Sequence, residues 1–122
     1  MRIAIPTEGP QGLEDKIEEH FGRARYYTIV EVREDEPVGF EILETPFGTH
    51  QPGEIPKWLK AHEVDLVLAC GIGERAISFF EEMGIGVIKG VSGKVKEAVQ
   101  RFLEGTLDLK DWECHRGEDI RD

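Results

Sequence analysis

The segment from Val64 to Arg75, V-D-L-V-L-A-C-G-I-G-E-R, places the tightest constraint on what this chain can fold into. It opens as a short apolar run, breaks at Gly71-Ile72-Gly73 and resumes with a helical pattern. An apolar run of this length is typical of a strand covered on both faces, as in the centre of a parallel sheet. The glycines predict a tight turn, after which a helix begins with free backbone N–H groups that could receive an anion.

The rest of the chain divides into short elements around this segment. Runs of β-branched and aromatic residues predict four further strands: Arg2 to Ile5, Tyr26 to Val32, Val38 to Leu43 and Ile85 to Ile88. Helical spacing of apolar residues predicts three helices, beginning near Glu54, near Glu74 and after an N-cap at Ser92. The polar stretch Thr7 to Arg23 is expected to be a loop, with one helical turn over Leu13 to Ile17 and Pro6 ending the first strand.

The connections between these elements predict a topology. The short turn after the second strand makes strands two and three an antiparallel hairpin. The right-handed crossover rule places strand four parallel to one of the first three, and strand one is the simplest neighbour. The predicted fold is an α/β fold of three layers, α/β/α, around a five-stranded mixed sheet of order 3-2-1-4-5 with strand 2 antiparallel.

Composition excludes several classes of partner. The chain has 122 residues, with 25 acidic residues against 15 basic ones and a formal net charge of −10. Nucleic acids and anionic membranes both require a basic face, so neither is expected to bind. The two cysteines do not make a disulfide framework.

The chain is expected to be a cytoplasmic protein with one domain over residues 1–107 and an acidic C-terminal tail over residues 108–122. Its N-terminus lacks the apolar segment of a signal peptide, and no run reaches membrane-spanning length. The absence of Asn, beside 33% charged residues, favours a heat-adapted source.

The predicted topology brings polar side chains to one edge of the sheet. Ligands of open α/β sheets bind beyond the carboxyl ends of the parallel strands. The loops expected at that edge carry His20, Arg23, His50, Cys70, Arg75 and Lys89. Three cations and two helix N-termini would suit an anion despite the negative total charge.

Each of these residues also has a purely structural interpretation. A histidine such as His20 can pack against or cap a loop, and Cys70 beside a core strand can be a small buried hydrophobe. The Gly71–Gly73 turn resembles many strand-to-helix turns. The adjacent pair Cys114-His115 could bind a soft metal but lacks the spacing of a zinc finger.

Several motifs in order resemble the dinitrogenase iron–molybdenum cofactor biosynthesis family, also called the nitrogenase accessory factor family. They are I-A-I-P, E-H-F-G-R-A-R-Y-Y, C-G-I-G-E-R-A-I, M-G-I-G-V and G-V-S-G-K-V-K-E-A-V, spread from Met1 to about Leu107. The resemblance implies a ribonuclease H-like motif and a role in binding rather than catalysis. It implies His20, the histidine of H-F-G-R, as a cluster ligand. The site expected at this edge of the sheet adds Cys70 as a second metal ligand. Cofactor contacts are predicted for His20, Gly22, Arg23, Cys70, Gly71, Gly73 and Arg75.

The leading hypothesis is therefore a non-catalytic binding or carrier protein for an anionic iron–sulfur or iron–molybdenum cluster, which exchanges its cargo with a cluster-assembly protein. The alternative is a regulatory module that binds a small anion or a nucleotide, although Gly71-Ile72-Gly73 lacks the Lys-Ser/Thr of a P-loop. A metal-dependent nuclease would need a carboxylate on the first strand, and Ile3-Ala4-Ile5 has none. The oligomeric state is left open.

Overall fold

A five-stranded mixed sheet of order β3-β2-β1-β4-β5 forms the centre of the molecule, as predicted. The computed structural model describes residues 1–46 and 53–105. The strands are β1 Arg2–Thr7, β2 Tyr26–Arg33, β3 Glu36–Glu44, β4 Leu66–Leu68 and β5 Gly86–Ile88. The helices are α1 Glu54–Ala61, α2 Glu74–Glu82 and α3 Val95–Leu103, with short 3₁₀ turns at Gly12–Glu14 and Phe21–Arg23. Strand β2 runs antiparallel to β1 and β3, while β1, β4 and β5 are mutually parallel.

Helices cover both faces of the sheet, because successive side chains of a strand point to opposite sides. On one face, which we call the α3 face, Ile3 and Ile5 of β1 pack in a cluster with Val95, Ala98 and Val99 of α3. The spacing of these three helical residues gives α3 a single apolar side. On the opposite face, the α1–α2 face, the buried cluster is formed by Ala4, Tyr27, Ile29, Ile55, Leu59, Val67 and Phe80. No helix among the described residues is both long and apolar enough to cross a membrane.

Residues 15–20 form an extended crossing segment at the carboxyl ends of β1 and β4, and the 3₁₀ turn that begins at Phe21 follows it directly. The segment is bonded to the end of β1, where Glu18 N–H donates to Pro6 O at 2.9 Å. Its Ile17 N–H donates to Gly93 O at 2.9 Å, and the N–H of Val95 donates to Asp15 O at 3.0 Å. The predicted long loop therefore contains a set of backbone pairings that close this edge of the sheet.

Two predicted boundaries are wrong for reasons that involve this pairing. The strand β1 continues past Pro6 to Thr7, because both residues still pair with β2 and Thr7 also bridges to Ile17. Helix α3 has Lys94 rather than Ser92 at its N-cap, without a side-chain cap hydrogen bond. The chain stays extended at Lys94, which forms an isolated bridge with Lys16 of the crossing segment. The helical turn expected over Leu13 to Ile17 is a 3₁₀ turn at Gly12–Glu14.

The crossing segment ends in a reciprocal pair of backbone hydrogen bonds to a residue that follows β4. Gly71 N–H donates to Glu19 O at 2.9 Å, and Phe21 N–H donates to Gly71 O at 2.8 Å. A Cβ atom on Gly71 would lie 2.7 Å from Glu19 O, a distance that no side chain can accept without a backbone shift. Glycine is therefore needed at this position for close approach of two backbones.

Phe21 attaches this end of the crossing segment to the hydrophobic core. Its ring contacts the rings of Tyr27 and Phe80 edge to face, at centroid distances of 5.7 and 5.6 Å. The hydroxyl of Tyr27 donates to Phe21 O at 3.0 Å. Burial, and secondarily the charge of Glu18, raise the pKa of Tyr27 above its ordinary value.

We expect Gly71→Ala to lower the free energy of unfolding by about 1–3 kcal/mol, the range seen when extra atoms are forced into a packed site. The matched control is Gly22→Ala, in the adjoining 3₁₀ turn, where an added Cβ meets nothing within 4 Å. The control should be neutral or slightly stabilising, because alanine restricts the unfolded chain. Urea unfolding of both variants measures the difference, and equal stabilities would contradict the close-approach argument.

We expect Tyr27→Phe to lower the free energy of unfolding at neutral pH by about 0.5–1.5 kcal/mol, the usual net value of one hydrogen bond. Because the pKa of Tyr27 is raised in the folded state, the folded protein binds more protons than the unfolded chain above pH ~10. The stability of the wild type should therefore fall as pH rises above this value, through ionisation of the unfolded tyrosine.

The variant lacks this contribution, so the difference in stability between the two proteins should narrow as the pH increases. Urea unfolding at neutral pH and above pH ~10 tests this. If the stability advantage of the wild type over the variant stays constant or grows from neutral pH to above pH ~10, the raised pKa of Tyr27 is contradicted.

Candidate functional site

His20 is the candidate residue that the backbone fixes most directly at the carboxyl edge of the sheet. It forms a parallel bridge with Gly71, flanked by the two hydrogen bonds that Glu19 and Phe21 make to that glycine. Its Nδ1 atom lies 3.9 Å from the position that a Gly71 Cβ would occupy. The side chain is half-buried. The predicted proximity of the His20 segment to the end of β4 is confirmed at the level of the backbone.

Cys70 faces the opposite side of the sheet from His20. Its side chain is 5% exposed and belongs to the cluster of the α3 face, together with Leu68. Bridge partners share a face, so the His20 side chain lies on the side of Gly71, and residue 70 alternates away from it. Cys70 is also disulfide-bonded, and this bond was not predicted from the sequence.

One of the N–H groups in the turn after β4 is not available to an anion. The N–H of Gly71 is already donated to Glu19 O. Gly73 is the N-cap of α2 and adopts an ordinary extended conformation, with φ −77° and ψ 159°. The first residue of α2 is Glu74, and a negative charge in the first turn partly offsets the positive end of a helix dipole. The turn therefore offers less to a free anion than the sequence predicted.

Three exposed cations stand on elements that reach the same edge. Arg23 ends the 3₁₀ turn after His20, Arg75 lies in the first turn of α2, and Lys89 follows β5. Gly22 is exposed between Phe21 and Arg23. Among the described residues, none of the three cations belongs to an ion pair. They can attract an anionic ligand by long-range electrostatics without first losing a partner.

In the part of the chain that the structure describes, this edge carries one imidazole, that of His20, and no enclosed metal site. Within residues 1–46 and 53–105, no three His, Cys, Asp or Glu side chains are grouped so as to hold a metal ion. The two other predicted candidates, His50 and the pair Cys114-His115, lie outside the described residues. Such an arrangement fits a ligand that brings most of its own coordination, held by one protein ligand and by nearby charge.

Sequence reasoning overlooked Asp15, which organises the start of the crossing segment. Its carboxylate is buried and accepts hydrogen bonds from the backbone N–H groups of Gln11 and Lys16, both at 2.9 Å. The available signal was an aspartate within a glycine- and proline-containing stretch, where Asp side chains often bond to nearby backbone.

Comparison with known proteins places this geometry in a family. The profile of the family described as "Dinitrogenase iron-molybdenum cofactor" matches residues 1–105. An uncharacterised protein of Methanocaldococcus jannaschii is 32% identical over 111 residues, which cover 88% of this chain and 90% of that protein.

Two solved structures are also similar. The crystal structure of the protein PH0822 has a TM-score of 0.84 and 38% identity, and the match covers 93% of this chain and all of that one. The apo form of the orange protein of Desulfovibrio gigas has a TM-score of 0.75 and 27% identity, with 91% of this chain and 93% of that chain covered. The match over residues 1–105, which include the whole sheet and the His20 edge, shows that this chain belongs to the dinitrogenase iron–molybdenum cofactor family.

Proposed function

We propose that this protein is a non-catalytic carrier of an anionic iron–sulfur or iron–molybdenum-type cluster, with His20 as its principal protein ligand. The observation that carries the proposal is the fixed position of His20 opposite Gly71, between two backbone hydrogen bonds. In this role the cluster is cargo, which a cluster-assembly protein delivers or receives.

The rigidity of the His20 backbone supports this role. A protein side chain whose backbone need not rearrange on binding loses little conformational freedom, and this improves affinity. The absence of a side chain at Gly71 leaves space on that side of the imidazole, because a Cβ atom there would lie 3.9 Å from Nδ1 of His20. A cluster could therefore approach His20 closely along this edge.

The electrostatics also favour an anionic cargo over a bare metal cation. A bare cation needs several protein donors, and the described residues offer no group of three. Arg23 and Arg75 provide positive charge close in sequence to the two partners of the His20–Gly71 bridge. A sulfide-bridged anionic cluster has its own internal ligands and needs only a few contacts with protein.

Cys70 is not part of the proposed site. Because it faces the α3 cluster and is disulfide-bonded, its sulfur could act as a ligand only after reduction and a change of orientation. The expectation from sequence that His20 and Cys70 ligate one metal together thus gives way to a site centred on His20.

Binding of a small anion or a nucleotide is the weaker alternative. The N–H of Gly71 is occupied by Glu19 O, and Glu74 lies at the start of α2. The three exposed cations are the observation in its favour. Stabilisation by phosphate or a nucleotide in a thermal-shift experiment, unaffected by His20→Ala, would favour this alternative.

The proposal predicts that anaerobic reconstitution with ferrous iron and sulfide, with and without molybdate, gives a protein with sulfur-to-metal charge-transfer absorption. His20→Ala should reduce both this absorption and the iron retained after desalting to background. The matched control is His62→Ala, a half-buried histidine at the C-cap of α1, which should retain both.

Cys70→Ala should also retain the absorption, because Cys70 lies on the other face. Loss of the band in Cys70→Ala together with its survival in His20→Ala would move the site to the cysteine. Failure of the wild type to retain iron and sulfide under any of these conditions would overturn the carrier role.

A further inference from the structure

We infer that the outer edge of β3 is a docking site for an extended segment of another protein, which adds to the sheet as a sixth strand next to β3 and carries basic residues at one end. Among the described residues, β3 pairs only with β2, so it is an edge strand. The inference does not depend on the proposed cargo, because β2 and β1 separate β3 from β4 and its exit at Gly71.

The strand exposes an apolar stripe on the α3 face. Val38, Phe40 and Ile42 are 56%, 47% and 36% exposed, and they are the large hydrophobic residues that stand out on the described surface beside Met1. Phe40 and Ile42 pair with Val30 and Thr28 of β2, whose side chains are fully buried on this face. The stripe therefore continues the apolar surface of the α3 face beyond the part of the sheet that α3 covers.

Phe40 is held in place rather than loosely exposed. Its ring lies against Gly12, where a Cβ atom would be 2.5 Å from the ring atom Cε2, and where φ is +68°. Both the positive φ and the close ring contact require glycine. One edge of the aromatic ring is therefore fixed by the 3₁₀ turn, and the remainder is presented to solvent in a preorganised position.

The half of β3 nearest the hairpin turn is protected against pairing, and the other half is not. Pro37 and the bulge beside Val38 break the regular register, and both are devices that blunt an edge strand. Residues 39–44 pair regularly with β2 and contain neither proline nor lysine. This regular half retains backbone groups that another strand can bond.

The negative charge around β3 favours a partner segment with basic residues. Residues 31–44 contain six acidic residues and one basic one, Arg33. Arg2 pairs with Glu31 and Glu41 at 3.2 and 2.8 Å, and Arg25 lies 3.7 Å from Glu44. The three acidic residues at the turn belong to none of the ion pairs found among the described residues: Glu34, Asp35 and Glu36.

The turn end of β3 is therefore the strongly acidic end. A second copy of this chain would bring like charges together at the edge, which disfavours self-pairing. The acidic turn and the apolar stripe are complemented by a segment that has lysine or arginine near the turn and β-branched residues next to Phe40 and Ile42.

The test uses a capped synthetic peptide, Lys-Lys-Lys-Thr-Val-Thr-Val-Thr, labelled for fluorescence anisotropy. Binding should weaken at least about tenfold when glutamates replace the lysines, and by a similar factor when alternate backbone nitrogens are methylated, since the methyl groups prevent strand pairing. The double variant Phe40→Ser with Ile42→Ser should also weaken binding about tenfold. The matched control, Val87→Ser on β5 at the opposite edge of the sheet, should not.

Protection of the backbone N–H groups of residues 39–44 from hydrogen exchange on addition of the peptide would support strand addition. Equal binding of the methylated peptide, or protection confined to another element, would overturn it. So would a lack of binding at about 1 mM peptide, or a concentration-dependent dimer that is lost in the double variant, since a second copy would then occupy the edge.

Discussion

Everything at the candidate edge depends on the reciprocal hydrogen bonds between Gly71 and the backbone of Glu19 and Phe21. They join the long connection between β1 and β2 to the exit of the strand that the sequence marks as central. Neither bond involves a side chain, so what they require of the sequence is the lack of a Cβ at residue 71. The same glycine that suggested an anion-binding turn therefore has a different physical function: it allows two backbones to meet.

The strand order was predictable because connection rules limit the possible topologies once five strands and three helices are recognised. The hairpin of β2 and β3 and the position of β4 beside β1 follow from short turns and from the apolar run in β4. The details that failed involve pairing between distant parts of the chain. The residues around Pro6 and Ser92 do not indicate that residues 16–18 pair with the end of β1 and with the residues before α3. Contacts between distant parts of a chain leave no local pattern in the sequence.

At the candidate site, too, the sequence does not reveal which distant residues pair. The sequence correctly brings the His20 segment to the end of β4, but it does not specify whether His20 pairs with residue 70 or residue 71. A shift of one residue in register moves a side chain to the opposite face. The observed register pairs His20 with Gly71 and thereby separates His20 from Cys70. The exposed stripe of β3 is a comparable case, since strand propensity alone does not reveal which edge lacks a neighbour.

The anchoring of Phe21 in the core has a consequence for how any cargo would come and go. Because Phe21 packs against Tyr27 and Phe80, the neighbouring His20 cannot swing outward as part of a lid without exposing buried aromatic surface. Within residues 1–46 and 53–105, a carrier built in this way would have no gate to open at His20. Transfer would then take place by direct ligand substitution, in which the recipient's donor atoms displace the imidazole while both proteins are in contact, and its rate would be set by that encounter rather than by a motion of the carrier.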